Sequence, residues 1–221
     1  MTSVLFEPAL RSGAEALDIE LTKVEAAKLV GYGALLMKWS KVYNLTAVRD
    51  AAGVLTHHLL DSLAVIAPLR RELQANGLNQ ARLLDVGSGA GLPGAVISIL
   101  CSNVDVTCLD AVAKKTAFVQ QVAAELELPN LRGLHARVET LTDLYDVVSS
   151  RAFASLQDFV VGSANALRPE GIWLAMKGRM PSDEIGSMTA AAKVFHVEQL
   201  TVPGLEAERC IVWMRKRPTA E

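Results

Sequence analysis

The chain has 221 residues, of which 51% are hydrophobic, and its 22 Lys and Arg residues against 24 Asp and Glu give a formal net charge of −2. This composition excludes a disordered chain and a protein that coats nucleic acid indiscriminately, although it leaves room for a local basic face. No uninterrupted apolar run reaches ~18 residues, and residues 1–11 lack a secretory pattern, so we expect no membrane span and no signal peptide.

The first ~80 residues have helical patterning. Thr22 and Glu25 are spaced as a capping box ahead of a long helix, and Asp50 is placed to cap a second helix over residues 51–73. His57 and His58 lie on this second helix, where adjacent histidines do not have metal-ligand spacing, so we expect one packed and one exposed. We predict that residues 1–80 form a helical extension packed on the core.

Residues 82–94 combine a short apolar strand, a glycine-rich turn and the start of a helix. Such a turn lets a ligand approach the backbone, and the helix N-terminus adds unpaired N–H groups. Two patterns overlap here. Gly89, Gly91 and Gly94 spell the dinucleotide fingerprint G-x-G-x-x-G, whereas Gly87, Gly89 and Gly91 spell G-x-G-x-G. The turn alone does not choose between them.

Asp85, two residues before the first glycine, favours the second pattern. An acidic side chain at the strand tip would repel the pyrophosphate of a dinucleotide, but it would attract the ammonium group of S-adenosylmethionine. We therefore predict an S-adenosylmethionine-dependent methyltransferase. A nicotinamide-dependent oxidoreductase and a non-catalytic RNA-binding protein with a vestigial pocket remain alternatives.

From residue 82 onward, strand and helix patterns alternate. Strands are predicted at 82–86, 105–109, 131–136, 145–149 and 171–176, and helices at 93–101, 113–126, 156–167 and 182–192, the last capped by Ser182. Two closing strands at 193–202 and 209–215 suggest an antiparallel hairpin. The prediction is an α/β fold with a mostly parallel sheet of about seven strands, over residues 81–216, followed by a tail at 217–221.

The residues at the strand tips are the candidates for the ligand site, because such sheets bind ligands beyond the carboxyl ends of their strands. Asp110 ends the second strand, close to the spacing at which an acid meets ribose hydroxyls, and Glu139 with Val138 follows the third. Arg151 ends the fourth strand, where its guanidinium suits a phosphate, the cofactor carboxylate, or the O6 and N7 edge of guanine. Basic residues expected near the same edge could hold an RNA backbone: Lys114, Lys115, Arg137, Lys177 and Arg209.

Several blocks of the chain resemble the RsmG family, also called the glucose-inhibited division protein B family. They are Val-Tyr-Asn-Leu-Thr at 42–46, His-Leu-Leu-Asp-Ser-Leu at 58–63, the glycine-rich segment at 84–94, Arg-Val-Glu at 137–139, Ser-Arg-Ala-Phe-Ala-Ser-Leu at 150–156 and Ala-Met-Lys-Gly at 175–178. The glycine turn is generic to a superfamily, whereas the block at 150–156 is highly specific. The chain departs from the family pattern at Ser40, His57 and Ala111.

The resemblance implies a class I methyltransferase fold and methyl transfer to guanine N7 in 16S ribosomal RNA of the small subunit. It implies cofactor contacts at Gly87, Leu92, Val138, Glu139 and Arg151, to which the residues themselves add Asp85, Gly89, Gly91 and Asp110. It also links Arg137, Lys177 and Arg209 to RNA or catalysis, so we expect Arg151, Arg137 and Lys177 to take part in catalysis. We further expect a cytoplasmic monomer with no bound metal, whose three cysteines are reduced.

Overall fold

The computed structural model describes residues 3–151, 153, 155–188 and 191–217. Its helices are α1 (Ser3–Glu15), α2 (Lys23–Tyr43), α3 (Ala51–Gly53), α4 (Asp61–Leu63), α5 (Ile66–Ala75), α6 (Gly94–Leu100), α7 (Ala113–Glu125), α8 (Leu156–Ser163) and α9 (Ser182–Gly186). A π-helical segment, Val54–Leu60, joins α3 to α4, so that Ala51–Ala75 forms one long helix.

The strands form one sheet of seven: β1 (Ala81–Val86), β2 (Val104–Asp110), β3 (Leu131–His135), β4 (Tyr145–Arg151), β5 (Leu167–Lys177), β6 (Ala192–Leu200) and β7 (Arg209–Lys216). Their order is β3-β2-β1-β4-β5-β7-β6, with β1 to β5 pairing in parallel and β7 antiparallel to both neighbours. The predicted α/β class, the mostly parallel seven-stranded sheet and the closing hairpin are confirmed.

Alternation along the central strands builds two apolar layers. In β1, Leu83 packs into the cluster under the N-terminal helices, whereas Leu84 packs into the cluster on the opposite face, because successive strand residues point to opposite sides. Helices α1, α2, α6 and α7 and the Ala51–Ala75 helix cover the first face, and α8 covers the second. The central strands β1, β2 and β4 are therefore buried on both faces.

The Ala51–Ala75 helix has the length and apolar composition of a membrane span, but 72% of its most apolar window is buried inside the fold. Its side chains pack in the same apolar cluster as the first face of the sheet. Packing on the sheet thus accounts for the apolar character of this helix.

The local capping predictions are confirmed. Thr22 and Glu25 form a complete capping box at α2, and the Asp50 carboxylate accepts a hydrogen bond from Gly53 N at 2.8 Å. His58 is buried and His57 is exposed, as predicted. The first helix, α1, was not predicted, although Phe6 and Leu10 bury its apolar side in the core.

Near the end of the chain one helix prediction is confirmed apart from its last residue, and one is wrong. The helix predicted over 156–167 continues from α8 through a 3₁₀ turn at Ala164–Ala166, and only the fully buried Leu167 belongs instead to β5, where it pairs with Tyr145. The helix predicted over 182–192 is only α9, Ser182–Gly186, and Ser182 lies inside it rather than capping it. Residues 218–221 of the predicted tail lie outside the described part of the chain.

Candidate active site

The glycine turn between β1 and α6 needs glycine for two different reasons. Gly87 and Gly89 have φ of +66° and +60°, in the left-handed region where side chains are strained, although a Cβ at either would meet nothing within 4 Å. Gly94 is required by close approach instead, because a Cβ there would lie 2.5 Å from Cys108 Sγ and 3.0 Å from Asp85 Oδ2. The turn therefore faces open space at Gly87 and Gly89 and is tightly packed against Asp85 and Cys108 at Gly94.

Asp85 is fully buried beneath this turn. Its Oδ2 accepts a hydrogen bond from Gly94 N at 2.9 Å and its Oδ1 accepts one from Ser149 Oγ at 3.1 Å, so the carboxylate joins the start of α6 to β4. Burial raises the pKa of Asp85 to about 6, opposed by these two hydrogen bonds and by the Arg151 guanidinium. The carboxylate supports the turn from below and is not exposed beside it.

The helical extension also holds the turn. The hydroxyl of the fully buried Tyr32, in α2, donates a hydrogen bond of 2.8 Å to Ala90 O. Burial raises the pKa of Tyr32 well above its ordinary value, so the hydroxyl stays protonated as a donor. This contact joins residues 58 positions apart. Sequence reasoning missed it because a single tyrosine on an apolar helix face usually signals only packing.

A pocket of about 290 Å³ opens at the carboxyl ends of β1, β2 and β3; we call it the glycine-turn pocket. It is lined by Val86, Gly87, Leu109, Asp110, Ala111, Ala136, Arg137, Val138, Glu139 and Phe153. Asp110 is fixed at its edge, since its Oδ2 accepts from Gly89 N at 3.0 Å and its Oδ1 accepts from Val112 N at 2.9 Å. Six apolar side chains and two carboxylates suit an aromatic base carrying ribose hydroxyls.

A second pocket, of about 390 Å³, lies at the ends of β4 and β5 beside the start of β7; we call it the arginine pocket. It is lined by His57, His58, Asp61, Arg151, Met176, Lys177, Gly178 and Arg209. Asp61, from the Ala51–Ala75 helix, bridges the two arginines: its Oδ2 accepts from Arg151 Nη1 at 3.0 Å and its Oδ1 accepts from Arg209 Nε at 2.7 Å. Two strand tips and one helix therefore meet through a single carboxylate.

Lys177 in the arginine pocket also has an acidic partner. Its Nζ donates to both carboxylate oxygens of Glu184, at 3.0 and 2.8 Å, and Glu184 Oε2 also accepts from Leu156 N at 2.7 Å. The pKa of Glu184 is lowered, despite partial burial, by the hydrogen bonds from Lys177 and Leu156. Much of the Lys177 charge is thus offset within the protein.

His58 is a second buried titratable group of the arginine pocket, beside Asp61. Its Nδ1 lies 2.9 Å from His57 O, which only accepts, so Nδ1 carries the proton and Nε2 accepts from Thr46 Oγ1 at 2.7 Å. Burial, together with the Arg151 guanidinium, lowers the pKa of His58 to about 4. The imidazole is therefore neutral near pH 7 and links the loop after α2 to the Ala51–Ala75 helix.

The expected site residues divide between the two pockets. Gly87, Asp110, Arg137, Val138 and Glu139 line the glycine-turn pocket, and Arg151, Lys177 and Arg209 line the arginine pocket. Arg137, which we expect to take part in catalysis with Arg151 and Lys177, lines the glycine-turn pocket, whereas those two line the arginine pocket. Lys115 Nζ lies 3.4 Å from Asp110 Oδ2, and Lys114 is exposed on α7.

The other expected cofactor residues line neither pocket. The Leu92 side chain is 3% exposed and packs in the core, so only its backbone belongs to the turn. Gly91 is buried, with φ +87°, and a Cβ there would lie 3.0 Å from Val119. Gly91 and Leu92 therefore shape the turn by packing in the core, and they line neither of the two pockets.

Within the described residues there is no group of three or more His, Cys, Asp or Glu side chains able to hold a metal ion. Cys101, Cys108 and Cys210 are free and buried, so the prediction of reduced core cysteines is confirmed. Burial raises the pKa of the Cys108 thiol well above its ordinary value, as expected for an unreactive group.

Comparison with known proteins gives consistent results. Residues 25–212 match the family described as rRNA small subunit methyltransferase G. A "Ribosomal RNA small subunit methyltransferase G" from a Polaromonas species is 60% identical over 215 residues, covering 97% of this chain and 95% of the relative. Another of that name, from an Acidovorax species, is 59% identical over 220 residues, covering 97% of each.

Solved structures share the fold at low sequence identity. The ribosomal protein L11 methylase from Lactobacillus delbrueckii subsp. bulgaricus matches 71% of this chain and 78% of its own, with a TM-score of 0.55 and 12% identity. TrmN from Thermus thermophilus matches 74% of this chain and 53% of its own, with a TM-score of 0.54 and 16% identity. Both likenesses concern the fold alone.

Proposed function

The chain belongs to the rRNA small subunit methyltransferase G family, and on this premise we propose that it methylates N7 of one guanine in 16S ribosomal RNA. Membership makes it an S-adenosylmethionine-dependent methyltransferase of small-subunit ribosomal RNA, with a class I fold. It also removes the nicotinamide-dependent and non-catalytic alternatives. The observation that carries the finer proposal is that the glycine-turn pocket and the arginine pocket lie at the same edge of the sheet.

The glycine-turn pocket fits the adenosine part of the cofactor. Val86, Leu109, Val138 and Phe153 offer apolar contact to an adenine, while Asp110 and Glu139 offer acceptors to hydroxyls. The open space above Gly87 and Gly89 lets a ligand approach the backbone. We propose that these residues form the cofactor site. Asp85 would contribute by holding the turn in place, and Gly91 and Leu92 would contribute through their backbone groups.

When bound, S-adenosylmethionine supplies an electrophilic methyl group. Guanine N7 presents a lone pair in the plane of the base and loses no proton, so the protein has only to align the acceptor. Arg151 is placed to hold O6 or a neighbouring phosphate, which leaves the N7 lone pair free, and Arg209 and Lys177 to hold the strand. Asp61 and His58, two groups that could accept a proton there, are already engaged by Arg151, Arg209 and Thr46.

The basic residues are proposed to bind RNA over both pockets: Arg151, Lys177 and Arg209 at one, and Arg137, Lys115 and Lys114 near the other. RNA would then cross the sheet edge above the cofactor.

We further propose that residues 1–80 and 81–216 are the extension and the methyltransferase domain, and that the protein is a cytoplasmic monomer. Light scattering on a sizing column tests the last point.

Transfer of a labelled methyl group tests the proposed function. The protein is incubated with methyl-labelled S-adenosylmethionine and either naked 16S RNA or small subunits from a strain lacking this activity. Digestion and mass spectrometry then locate the label. We expect a single 7-methylguanosine; label on another atom would refute the N7 proposal, and label on neither substrate would refute the function.

The alignment mechanism has its own test. At saturating cofactor and RNA, kcat should vary by less than about threefold between pH 6.5 and 9, because no group must lose a proton before attack. A sigmoidal fall of kcat toward the lower pH would indicate a general base and contradict the mechanism.

A further inference from the structure

Asp61 is a buried carboxylate that joins the helical extension to the sheet edge. Only 3% of its side chain is exposed, yet both oxygens are paired, Oδ1 with Arg209 Nε at 2.7 Å and Oδ2 with Arg151 Nη1 at 3.0 Å. A buried carboxylate without partners would be strongly destabilising. The two guanidiniums therefore fix where Asp61 lies, and Asp61 in turn fixes them.

The two arginines come from strands that are not neighbours. Arg151 ends β4 and Arg209 begins β7, and β5 lies between them, so their backbones are separated by roughly 10 Å. Their like charges repel each other, and each has a flexible side chain. One shared carboxylate offsets that repulsion and holds both guanidiniums at a fixed spacing.

The Ala51–Ala75 helix gives Arg151 a second contact. His57 O, in the π-helical segment just before Asp61, accepts a hydrogen bond from Arg151 Nη1 at 3.2 Å. One helix thus supplies a carboxylate and a carbonyl to the same nitrogen, which leaves the guanidinium little freedom to rotate. Segments of π-helix inside longer helices often occur at functional sites.

The group formed by Asp61, Arg151 and Arg209 keeps a net positive charge. One carboxylate faces two guanidiniums, and the hydrogen bonds within the described part of the chain use Nη1 of Arg151 and Nε and Nη1 of Arg209. Among the described residues, Nη2 of neither arginine has an acceptor, so each can donate to an RNA group. Asp61 therefore orients the two guanidiniums and leaves one net positive charge.

We propose that Asp61 is a positioning residue for methyl transfer, which holds Arg151 and Arg209 in the arrangement that aligns the acceptor guanine. This inference rests on the proposed function, because it requires RNA to enter the arginine pocket. The competing role is that of a placeholder, in which the carboxylate occupies the position of an RNA phosphate and must be displaced. The two roles predict opposite changes in turnover when the charge is removed.

The test is Asp61→Asn, assayed on small subunits with saturating S-adenosylmethionine. We expect kcat to fall at least about 10-fold, because unpaired arginines no longer align the base. KM for subunits should stay unchanged or fall, since the pocket gains one positive charge. The Kd for S-adenosylhomocysteine should stay within about twofold of wild type, which a general disruption of the fold would not allow.

Asp146→Asn is the matched control. Asp146 is a similarly buried carboxylate on β4, paired with Arg168 and accepting from Arg82 N at 2.8 Å, but at the opposite end of the strand. It should lower the Tm comparably and leave kcat near the wild-type value. If Asp61→Asn unfolds, Asp61→Glu replaces it, and a kcat at least about threefold below wild type with unchanged S-adenosylhomocysteine affinity supports the positioning role.

A wild-type kcat in a folded Asp61 variant would overturn the inference, and so would a rise in kcat, which the placeholder role predicts. Equal losses of kcat in the Asp61→Asn and Asp146→Asn variants would show a merely structural role. Wild-type protein that methylates neither subunits nor RNA would instead refute the proposed function, and this inference with it.

Discussion

The two pockets at the sheet edge are built in different ways. The glycine-turn pocket is held largely by backbone groups: a turn and backbone N–H groups that donate to Asp85 and Asp110 at the strand tips. The arginine pocket is held by ion pairs between residues 90 and 148 positions apart. A pocket shaped by backbone groups suits a small ligand of fixed shape, whereas charged side chains drawn from three elements suit a large anionic one.

The largest expected effect concerns Asp85. The Asp85→Ala variant leaves Gly94 N and Ser149 Oγ without their acceptor and loosens the turn, so the affinity for S-adenosylhomocysteine should fall by about 10-fold to 100-fold. Calorimetry measures this directly. Asp146→Ala, at the other end of the sheet, should leave the affinity unchanged. Unchanged affinity in Asp85→Ala would show that the turn does not depend on this carboxylate.

The second prediction concerns charge in the arginine pocket. Replacing Arg209 with Gln should reduce the salt slope of RNA binding by about one, because one phosphate contact is lost. Lys177→Gln should reduce it by less, since Glu184 already pairs with Lys177. Binding measured from low to moderate salt separates them. Slopes equal to wild type in both variants would place the RNA elsewhere.

A smaller effect is expected where the helical extension touches the turn. Tyr32→Phe removes the hydrogen bond to Ala90 O, worth about 1 kcal/mol, and should weaken S-adenosylhomocysteine binding about fivefold. Tyr145→Phe is the matched control, because Tyr145 is also fully buried and accepts one hydrogen bond, from Arg132 at 3.1 Å. Equal affinities for the two variants would mean that the extension does not support the cofactor site.

The smallest effect is a pair of opposite pH dependences. The pKa of His58 is lowered to about 4, so its contribution to stability is present above about pH 6.5 and is lost as pH falls toward 4. The pKa of Asp85 is raised to about 6, so the folded state binds the extra proton between about pH 6 and 4 and gains stability as pH falls. The two contributions oppose each other in the wild type.

Single variants should separate these contributions. Between pH 6.5 and 5, the free energy of unfolding should fall by about 1 kcal/mol in Asp85→Asn and rise by a similar amount in His58→Gln, with little change in the wild type. Urea unfolding at each pH provides the measurement. Parallel pH profiles in all three proteins would contradict both assignments.

Local chemistry explains what could be predicted from sequence. The glycine turn, the capping boxes and the alternation of strands and helices each depend on residues within one short segment. The tip residues Asp110, Val138, Glu139 and Arg151 followed because parallel strands end at one edge. The sequence therefore predicts that these four residues lie at one edge of the sheet.

The partners of the basic residues could not be predicted in this way. Asp61 meets Arg151 and Arg209, and Glu184 meets Lys177, only because the helices pack where they do. The same holds for Tyr32 and Ala90. The end of the helix predicted over 156–167 depends on tertiary structure for a related reason, since pairing with β4 makes Leu167 the first residue of β5.

A crystal structure with S-adenosylhomocysteine tests the central claim most directly. We predict adenine against Val138 and Phe153, ribose hydroxyls at Asp110 or Glu139, and the sulfur directed from the glycine turn toward Arg151. Ligand bound away from the glycine turn, or with its sulfur directed away from the arginine pocket, would contradict the assignment of the two pockets.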